Sequence, residues 1–469
     1  MLKKPDFFPF SFKKKPKPLP KSLLPKVRGK HFPGPESVKL TAELKRFECP
    51  QITYVGGVFP VFFKKAHACN FYDVDGNRYL DLTSAFGVTG LGHGHPAVLR
   101  ALREQSRHMM HGMGDVHPNE GKVQLARKLS EITPGNLNQS IFSATGFEAV
   151  ESALKTTVMH TRKSGVLSFT GAYHGLGYGA LSVTHREDFK KPFVKQLGGF
   201  SHVVPFPDVR VYEDKATRTS MKAVASTVRK ARKSKHPVGA VLIEPFQGRG
   251  GIVSAPTDFL KELRAFCDEE KLLLIADEVF CGFGRTGSMF AVDKSGVVPD
   301  LLCLGKGMAN GFPISVCVGT TRVMYSWGAS TGDAIHTSTF LGNPLGCAVA
   351  LAVIREIEER KLVDRAKNLG DFFRKELWKL KEKYPLIADV RGSGLMIGIE
   401  LSDRSYNGKK ILPATEKART FIAEALRHGV VLLPSGPAHN VISITPPFVI
   451  TEKEISFCVS LFDKILSKI

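Results

Sequence analysis

No apolar run in this sequence approaches the roughly 20 residues that a helix needs to cross a bilayer, so no transmembrane segment is expected. The opening residues MLKKPDFFPFSFKKKPKPLPK hold no continuous apolar core and no small-residue cleavage site, so no secretory signal is expected. They are rich in Lys and Pro rather than Arg and Ser, and they include Asp6. That composition argues against a mitochondrial presequence. Cysteine is sparse: Cys49, Cys69, Cys267, Cys281, Cys303, Cys317, Cys347 and Cys458, with no Cys-x-x-Cys pair. Most of them lie in apolar surroundings. They read as free thiols in a reducing, cytoplasmic setting, not as a disulfide framework or zinc site, and no metal is expected. No internal repeat is visible.

The 469 residues are 43% hydrophobic and 23% charged, which is ordinary globular composition and excludes a wholly disordered chain. The length suits two large domains or about three smaller ones, with a core that needs no staples. Lys and Arg outnumber Asp and Glu by 66 to 44, a net charge of +22. Residues 1–30 alone carry ten basic residues, one acid and six prolines, a net of +9 that leaves +13 for the rest. Such a segment is expected to be a solvated tail or extended arm. It reads either as a solubilising extension or as an electrostatic contact for nucleic acid or anionic lipid. No aromatic platform or zinc spacing supports specific nucleic-acid recognition.

From about residue 50 the pattern becomes regular. Residues 68–82 alternate around Asp75-Gly76 and predict a hairpin. Helices are predicted over 120–132 and 147–162, and strands over 141–145, 165–170, 239–244, 272–277, 300–304 and 314–319. Apolar strands interspersed with helices predict an α/β fold with a mostly parallel sheet. Two long helices follow to about 383, then a strand (393–401), a helix (414–428), a strand (430–434) and a final helix (452–468). This α+β tail predicts a second, smaller domain that the N-terminal hairpin joins. The expected division is a basic Pro/Lys-rich tail (1–40), the N-terminal part of the small domain (41–98), a large cofactor-binding domain (99–345) and the C-terminal small domain (346–469).

Four loops stand at the carboxyl ends of predicted strands, where open α/β sheets bind ligands. Thr145-Gly146-Phe147 opens a helix and offers free N–H groups to an anion such as phosphate; the alternative is a plain Thr cap. Tyr173-His174 follows LSFTGA and can stack on a planar ring or simply pack. Asp277 ends LLLIAD, where burial of a carboxylate calls for a cationic partner such as a ring N–H; otherwise it caps a neighbouring helix. Lys306 follows an apolar strand between two glycines, where desolvation moves an amine toward nucleophilic range, although most lysines are surface groups. Together they supply a phosphate cradle, a ring stacker, an acid for a ring nitrogen and a Schiff-base lysine. That is the requirement set of pyridoxal 5′-phosphate.

With these residues assembled, the chain resembles the class III, PLP-dependent aminotransferases, nearest the 4-aminobutyrate, ornithine and acetylornithine branch. The resemblance runs from about residue 50 to 465. It rests on LGHGHP (91–96), ATGFEAVESALK (144–155), FTGAYHG (169–175), EPFQGRGG (244–251), LLIADEVFCGFGRTG (273–287), LGKGMANGFPIS (304–315), HTSTFLGNP (336–344) and DVRGSGLMIGIEL (389–401). It implies a fold-type I enzyme, a homodimer with its site at the interface. It also implies a ping-pong transfer of an amino group from an amino acid or ω-amino acid to a 2-oxo acid. Lys306 would carry the cofactor and move the proton, and Asp277 would hold the pyridine nitrogen. Val279 and Tyr173 would flank the ring beside His174. Thr145, Gly146 and Phe147 would cradle the phosphate, which Thr339 would reach from the neighbouring subunit. Arg391 would hold the α-carboxylate.

Three positions depart from that pattern. Leu176 stands where the 4-aminobutyrate enzymes carry an Arg for the distal carboxylate. Arg249 stands where a Glu normally pairs with the carboxylate arginine, so Arg249 either takes over anion binding or turns away. Phe280 replaces a Gln near the ring oxygen. Phe86 is expected at the pocket entrance as an aromatic wall. Two other readings stay open: an aminomutase or decarboxylating PLP enzyme on the same scaffold, and a binding protein acting through the basic tail.

Overall fold

A strand with every side chain buried has to be covered on both faces, and Val238–Ile243 is buried at all six positions. Leu273–Asp277 and Leu301–Leu304 are equally buried. Each buried aliphatic side chain of this kind contributes about 1.5–3 kcal/mol, so these strands form the centre of the core. A computed structural model describes residues 18–28, 31–403 and 412–469. Residues 1–17 and 29–30 of the basic tail expected over 1–40 lie outside them.

Seven strands form the large sheet, in the spatial order Leu137–Ser143, Ser315–Thr320, Leu301–Leu304, Leu273–Asp277, Val238–Ile243, Gly165–Phe169, Ser201–Val204. Every pairing is parallel except those of Ser315–Thr320, which runs antiparallel to both neighbours. This is the mostly parallel sheet that the sequence predicts. Helix Gly146–Thr161 packs against one face of it, started by a capping box in which Thr145 and Glu148 satisfy each other's backbone. Helix Pro344–Glu359 starts with Asn343 accepting from the Leu345 and Gly346 N–H groups and with Pro at its first position.

The N-terminal hairpin pairs Asn70–Asp73 with Arg78–Asp81 around Gly76, whose φ of +83° suits the predicted turn. Phe63–His67 adds a strand on one side. Val430–Val431 adds a parallel strand on the other, so the two ends of the chain share one sheet. A second antiparallel sheet holds Ile387–Ser393, Met396–Leu401, Val441–Ile444 and Leu433–Ser435. The single strand expected over 393–401 is in fact the second arm of a hairpin. Gly394, at φ +54°, makes the reversal.

Where it is described, the basic N-terminal segment follows one of its two expected forms, the extended arm. Residues 18–28 are not a solvated tail but run along the hairpin. Asn70, which is buried, accepts from Leu23 N at 2.7 Å and donates to Leu23 O at 2.8 Å. Lys26 and Arg78 exchange backbone hydrogen bonds of 2.8 and 2.9 Å. Beyond it, Pro35–Phe47 is a helix. Among the described residues no helix is long and apolar enough to cross a membrane.

Candidate functional site

The carboxyl ends of the central strands converge on one cavity of about 720 Å³. Its wall includes Phe86, Tyr173, Arg249, Phe280 and Lys306 from the large-sheet side and the hairpin region. Leu432, Ser435, His439 and Thr445 come from the C-terminal region.

Lys306 follows strand Leu301–Leu304 and takes a left-handed φ of +40°, a conformation that costs a non-glycine residue about 1–3 kcal/mol and clusters at functional sites. Its Nζ lies 4.3 Å from the centre of the Phe280 ring. Burial lowers its pKa, and Arg249 pushes the same way, while Asp277 and Glu244 resist. The turn at Gly305 lies beside Val279 and Gly146: a Cβ there would make ordinary contacts, 3.5 Å from Val279 Cγ1 and 3.7 Å from Gly146 Cα. Phe280 is itself wedged between glycines, since a Cβ on Gly248 or Gly87 would come within 2.3 or 2.4 Å of its ring.

Asp277 ends its strand with one carboxylate oxygen 2.7 Å from His174 Nδ1 and the other accepting from Val279 N at 3.1 Å. Val279 lies against Gly146, where a Cβ would meet Val279 Cγ1 at 2.6 Å. Glu148 accepts from Ala144 N, Thr145 N and the Thr145 hydroxyl, so Thr145 is occupied as a cap. The Gly146 and Phe147 amides belong to the first helical turn, where N–H groups have no intrahelical partner and favour an anion. A buried amine, a carboxylate fixed at a strand end and a helix N-terminus with a glycine in close contact form a donor set that fits pyridoxal 5′-phosphate.

Sequence reasoning did not single out Glu244. It ends the apolar Val238–Ile243 strand as Asp277 ends its own, so the same signal was present. Burial drives its pKa up to about 7, and it accepts from Tyr173 N at 2.9 Å and Gly248 N at 3.1 Å. It thereby fixes both the Tyr173 turn and the loop that carries Arg249. Arg186, Arg419 and His439 also reach the cavity, from elements with no shared motif.

Phe86 is exposed on the cavity wall and follows two other left-handed residues, Ser84 and Ala85. Asp81 holds this strained turn by accepting from Thr83 N, the Thr83 hydroxyl and Ala85 N. Arg249 stacks its guanidinium 4.8 Å above the Tyr173 ring and 5.6 Å from that of Phe189. Leu176 is about half exposed and does not line this cavity.

Of the expected residues, Phe86, Tyr173, Arg249 and Lys306 line the cavity, whereas Thr145, Gly146, Phe147, His174, Asp277, Val279, Thr339 and Arg391 are not among its lining residues. Thr339 is exposed. Arg391, expected to present a fork to a carboxylate, is held elsewhere. Its Nε donates to Gly251 O and Ile252 O, Nη2 to Gly251 O at 2.6 Å, and Nη1 to Glu400 at 2.6 Å and Asp389 at 3.1 Å. Two carboxylates and two carbonyls already take the hydrogen bonds that a substrate would need.

Comparison with known proteins places this geometry in a family context. The sequence profile of the aminotransferase class-III family matches residues 54–466. The 4-aminobutyrate aminotransferase GabT of Escherichia coli is 34% identical over 410 residues, which cover 86% of this chain and 92% of that protein. An acetylornithine aminotransferase of Caldanaerobacter subterraneus is 33% identical, covering 88% and 96%. An amine transaminase from an uncultivated Pseudomonas species, solved in its PLP-bound form, superposes with a TM-score of 0.82 at 27% identity, covering 90% of this chain and 98% of that one.

Proposed function

The chain belongs to the class-III aminotransferase family, and from that premise we propose how its residues divide the work of amino transfer. It is a fold-type I, PLP-dependent aminotransferase. We propose that it takes the amino group from an ω-amino acid and delivers it to a 2-oxo acid by a ping-pong route. It would work as a cytoplasmic homodimer, with the large domain spanning 99–345 and the small domain formed from 41–98 and 346–469.

When bound, the cofactor supplies an aldehyde that takes up an amino group and an electron-poor ring that stabilises charge at the neighbouring carbon. Asp277 would hold a proton on the ring nitrogen, because a carboxylate beside it favours the charged form of its partner. His174 fixes Asp277 through the 2.7 Å contact and so keeps that oxygen aimed. Val279 and Tyr173 would flank the ring, and the Gly146 and Phe147 amides would hold the phosphate with Thr145 shaping their turn. Thr339 would reach the phosphate of the partner subunit from its exposed loop. Lys306 Nζ takes the proton from the substrate carbon and returns it, a role that its lowered pKa supports. Phe86 borders the substrate stem and keeps water from it.

The observation that carries this reading is Lys306 at its strand end with the Asp277–His174 pair facing the same site. The test is the visible spectrum of the purified protein. A cofactor band that Lys306→Ala abolishes, and that ω-amino acids bleach with recovery on adding a 2-oxo acid, is the expected result. A band that no amine bleaches, or a rearranged or decarboxylated product, would overturn it.

A further inference from the structure

The cavity meets four Lys or Arg side chains and His439, and they differ in what already engages them. Arg186 makes a two-point contact with Asp188, at 3.0 and 2.8 Å. Arg419 is paired with Glu416. His439 leans on Arg186 at 3.3 Å. Lys306 is claimed by the chemistry. Arg249 has no acidic partner among the described residues, and no Asp or Glu lines the cavity. Its contacts are two aromatic faces, Tyr173 and Phe189. Stacking of that kind holds the guanidinium plane while leaving its edge N–H groups free for a planar, two-point acceptor.

Arg391 presents the opposite case. It shares Glu400 with Arg210, which also pairs with Asp208, so two arginines lie among three carboxylates in a largely buried cluster. A substrate carboxylate would have to displace Glu400 and would then face the remaining acids at close range. What Arg391 does hold is the loop, since Gly251 O and Ile252 O belong to the turn that begins at Arg249. The loop is tied down again where Gly436 N donates to Arg249 O at 3.1 Å. A Cβ on Gly251, whose φ is +111°, would come within 3.3 Å of Arg391 Nη2.

We propose that Arg249 grips the carboxylate of the amino substrate, and that Arg391 is a positioning residue that fastens the loop from which Arg249 extends. The inference rests on the aminotransferase reading and specifies its substrate class: an amine joined to a carboxylate by an apolar stem. The stem lies along Phe86 and Phe280, with the amine at Lys306 and the carboxylate at the edge of the Arg249 guanidinium.

The test uses the full-length, PLP-loaded enzyme and two donors, 5-aminovalerate and the carboxylate-free benzylamine. Bleaching of the cofactor band gives KM and kcat separately for each. In Arg249→Ala the ratio of KM for 5-aminovalerate to KM for benzylamine should rise at least about tenfold, the worth of a hydrogen-bonded charge pair. Arg249→Lys should restore part of it. Arg391→Lys should raise that ratio by less than Arg249→Ala does, because it loosens the loop without removing the Arg249 guanidinium, and should leave kcat with benzylamine within about twofold of the native value. If that variant does not fold, Glu400→Gln loosens the same clamp and takes its place. An unchanged ratio in Arg249→Ala, or a rise confined to the Arg391 variant, overturns the proposal. Calorimetric binding of glutarate separates the two readings. If no amine bleaches the band, the aminotransferase reading fails, yet loss of glutarate affinity in Arg249→Ala still supports the anion site. Absence of glutarate binding to the native enzyme sinks the site itself.

Discussion

His174 Nδ1 lies 2.7 Å from Asp277 Oδ2, and the other ring nitrogen of His174, Nε2, is buried with no hydrogen-bond partner among the described residues. With Nδ1 donating to the carboxylate, the imidazole acts through one atom only. Its work is therefore to orient Asp277. Replacing His174 with Ala should weaken cofactor retention by about 10- to 100-fold, the worth of a hydrogen bond to a charged group. A PLP titration of the apoprotein, read by the recovery of the visible band, checks this. An unchanged affinity would mean that Val279 N alone holds the carboxylate.

Arg285 is fully buried and donates to the carbonyls of Leu395 and Pro446 and to the Ser84 hydroxyl, with its guanidinium 4.8 Å from the Phe448 ring centre. Burial lowers its pKa to about 10, so it stays charged at neutral pH. Arg285→Ala would empty the site and orphan two carbonyls, at about 3–5 kcal/mol. Arg285→Met keeps the stem and should lose less. Urea unfolding of both variants gives the comparison, and equal losses would assign the whole effect to the charge.

Glu278 is buried, accepts from Ala291 N at 2.6 Å and Val292 N at 2.8 Å, and is driven by burial to a pKa of about 7. In the unfolded chain it titrates near the ordinary value of 4.5. The folded state therefore binds the proton more tightly, and this contribution to stability is present below about pH 4.5 and lost as pH rises through 7. Glu278→Gln removes the titration. Its stability relative to the native protein should increase from pH 5 to pH 8, by at most about 3 kcal/mol. Chemical unfolding at the two pH values decides it. Glu244 shifts in the same direction, but it is present in both proteins and cancels in the difference.

The segment at 18–28 makes a further claim. Besides the Leu23–Asn70 pair, Arg28 N donates to Asn77 Oδ1 at 2.7 Å and Arg78 Nε to Leu24 O at 2.8 Å. Asn70 and Asn77 are both buried. A protein lacking residues 1–28 orphans these groups and should melt several degrees lower, at about 1–3 kcal/mol for each unsatisfied group. One lacking only residues 1–17 keeps every contact named here and should melt higher than the shorter chain. Scanning calorimetry of the two truncations checks the order.

Much of the site was legible because charged residues interrupt apolar strands at their ends. Lys306 and Asp277 announce themselves that way, and so does the hairpin turn through Asp75-Gly76. Glu244 carries the same signal. The capture of Arg391 was not legible. Asp389 and Glu400 face each other across the Ile387–Ser393 and Met396–Leu401 hairpin, a register that exists only once Gly394 reverses the chain. The choice between tail and arm at 18–28 stayed open because Pro and Lys content describes what a segment cannot bury, not what it can hydrogen-bond to. Arg186, Arg419 and His439 meet through tertiary packing alone, which no spacing encodes.

The cavity wall runs from Tyr54 to Thr445, and Thr445 N donates to Leu82 O at 2.7 Å. Arg285 takes its carbonyl from Pro446, next in the chain. A ribosome delivers these partners more than 350 residues apart, about 20 s or longer at ordinary synthesis speeds. Until Val430–Val431 emerges the hairpin near Leu82 lacks one sheet neighbour, and until Thr445 emerges the pocket beside it is incomplete. The nascent chain thus completes its ligand cavity only after residue 445 has emerged, and a product truncated before Thr445 lacks part of its wall.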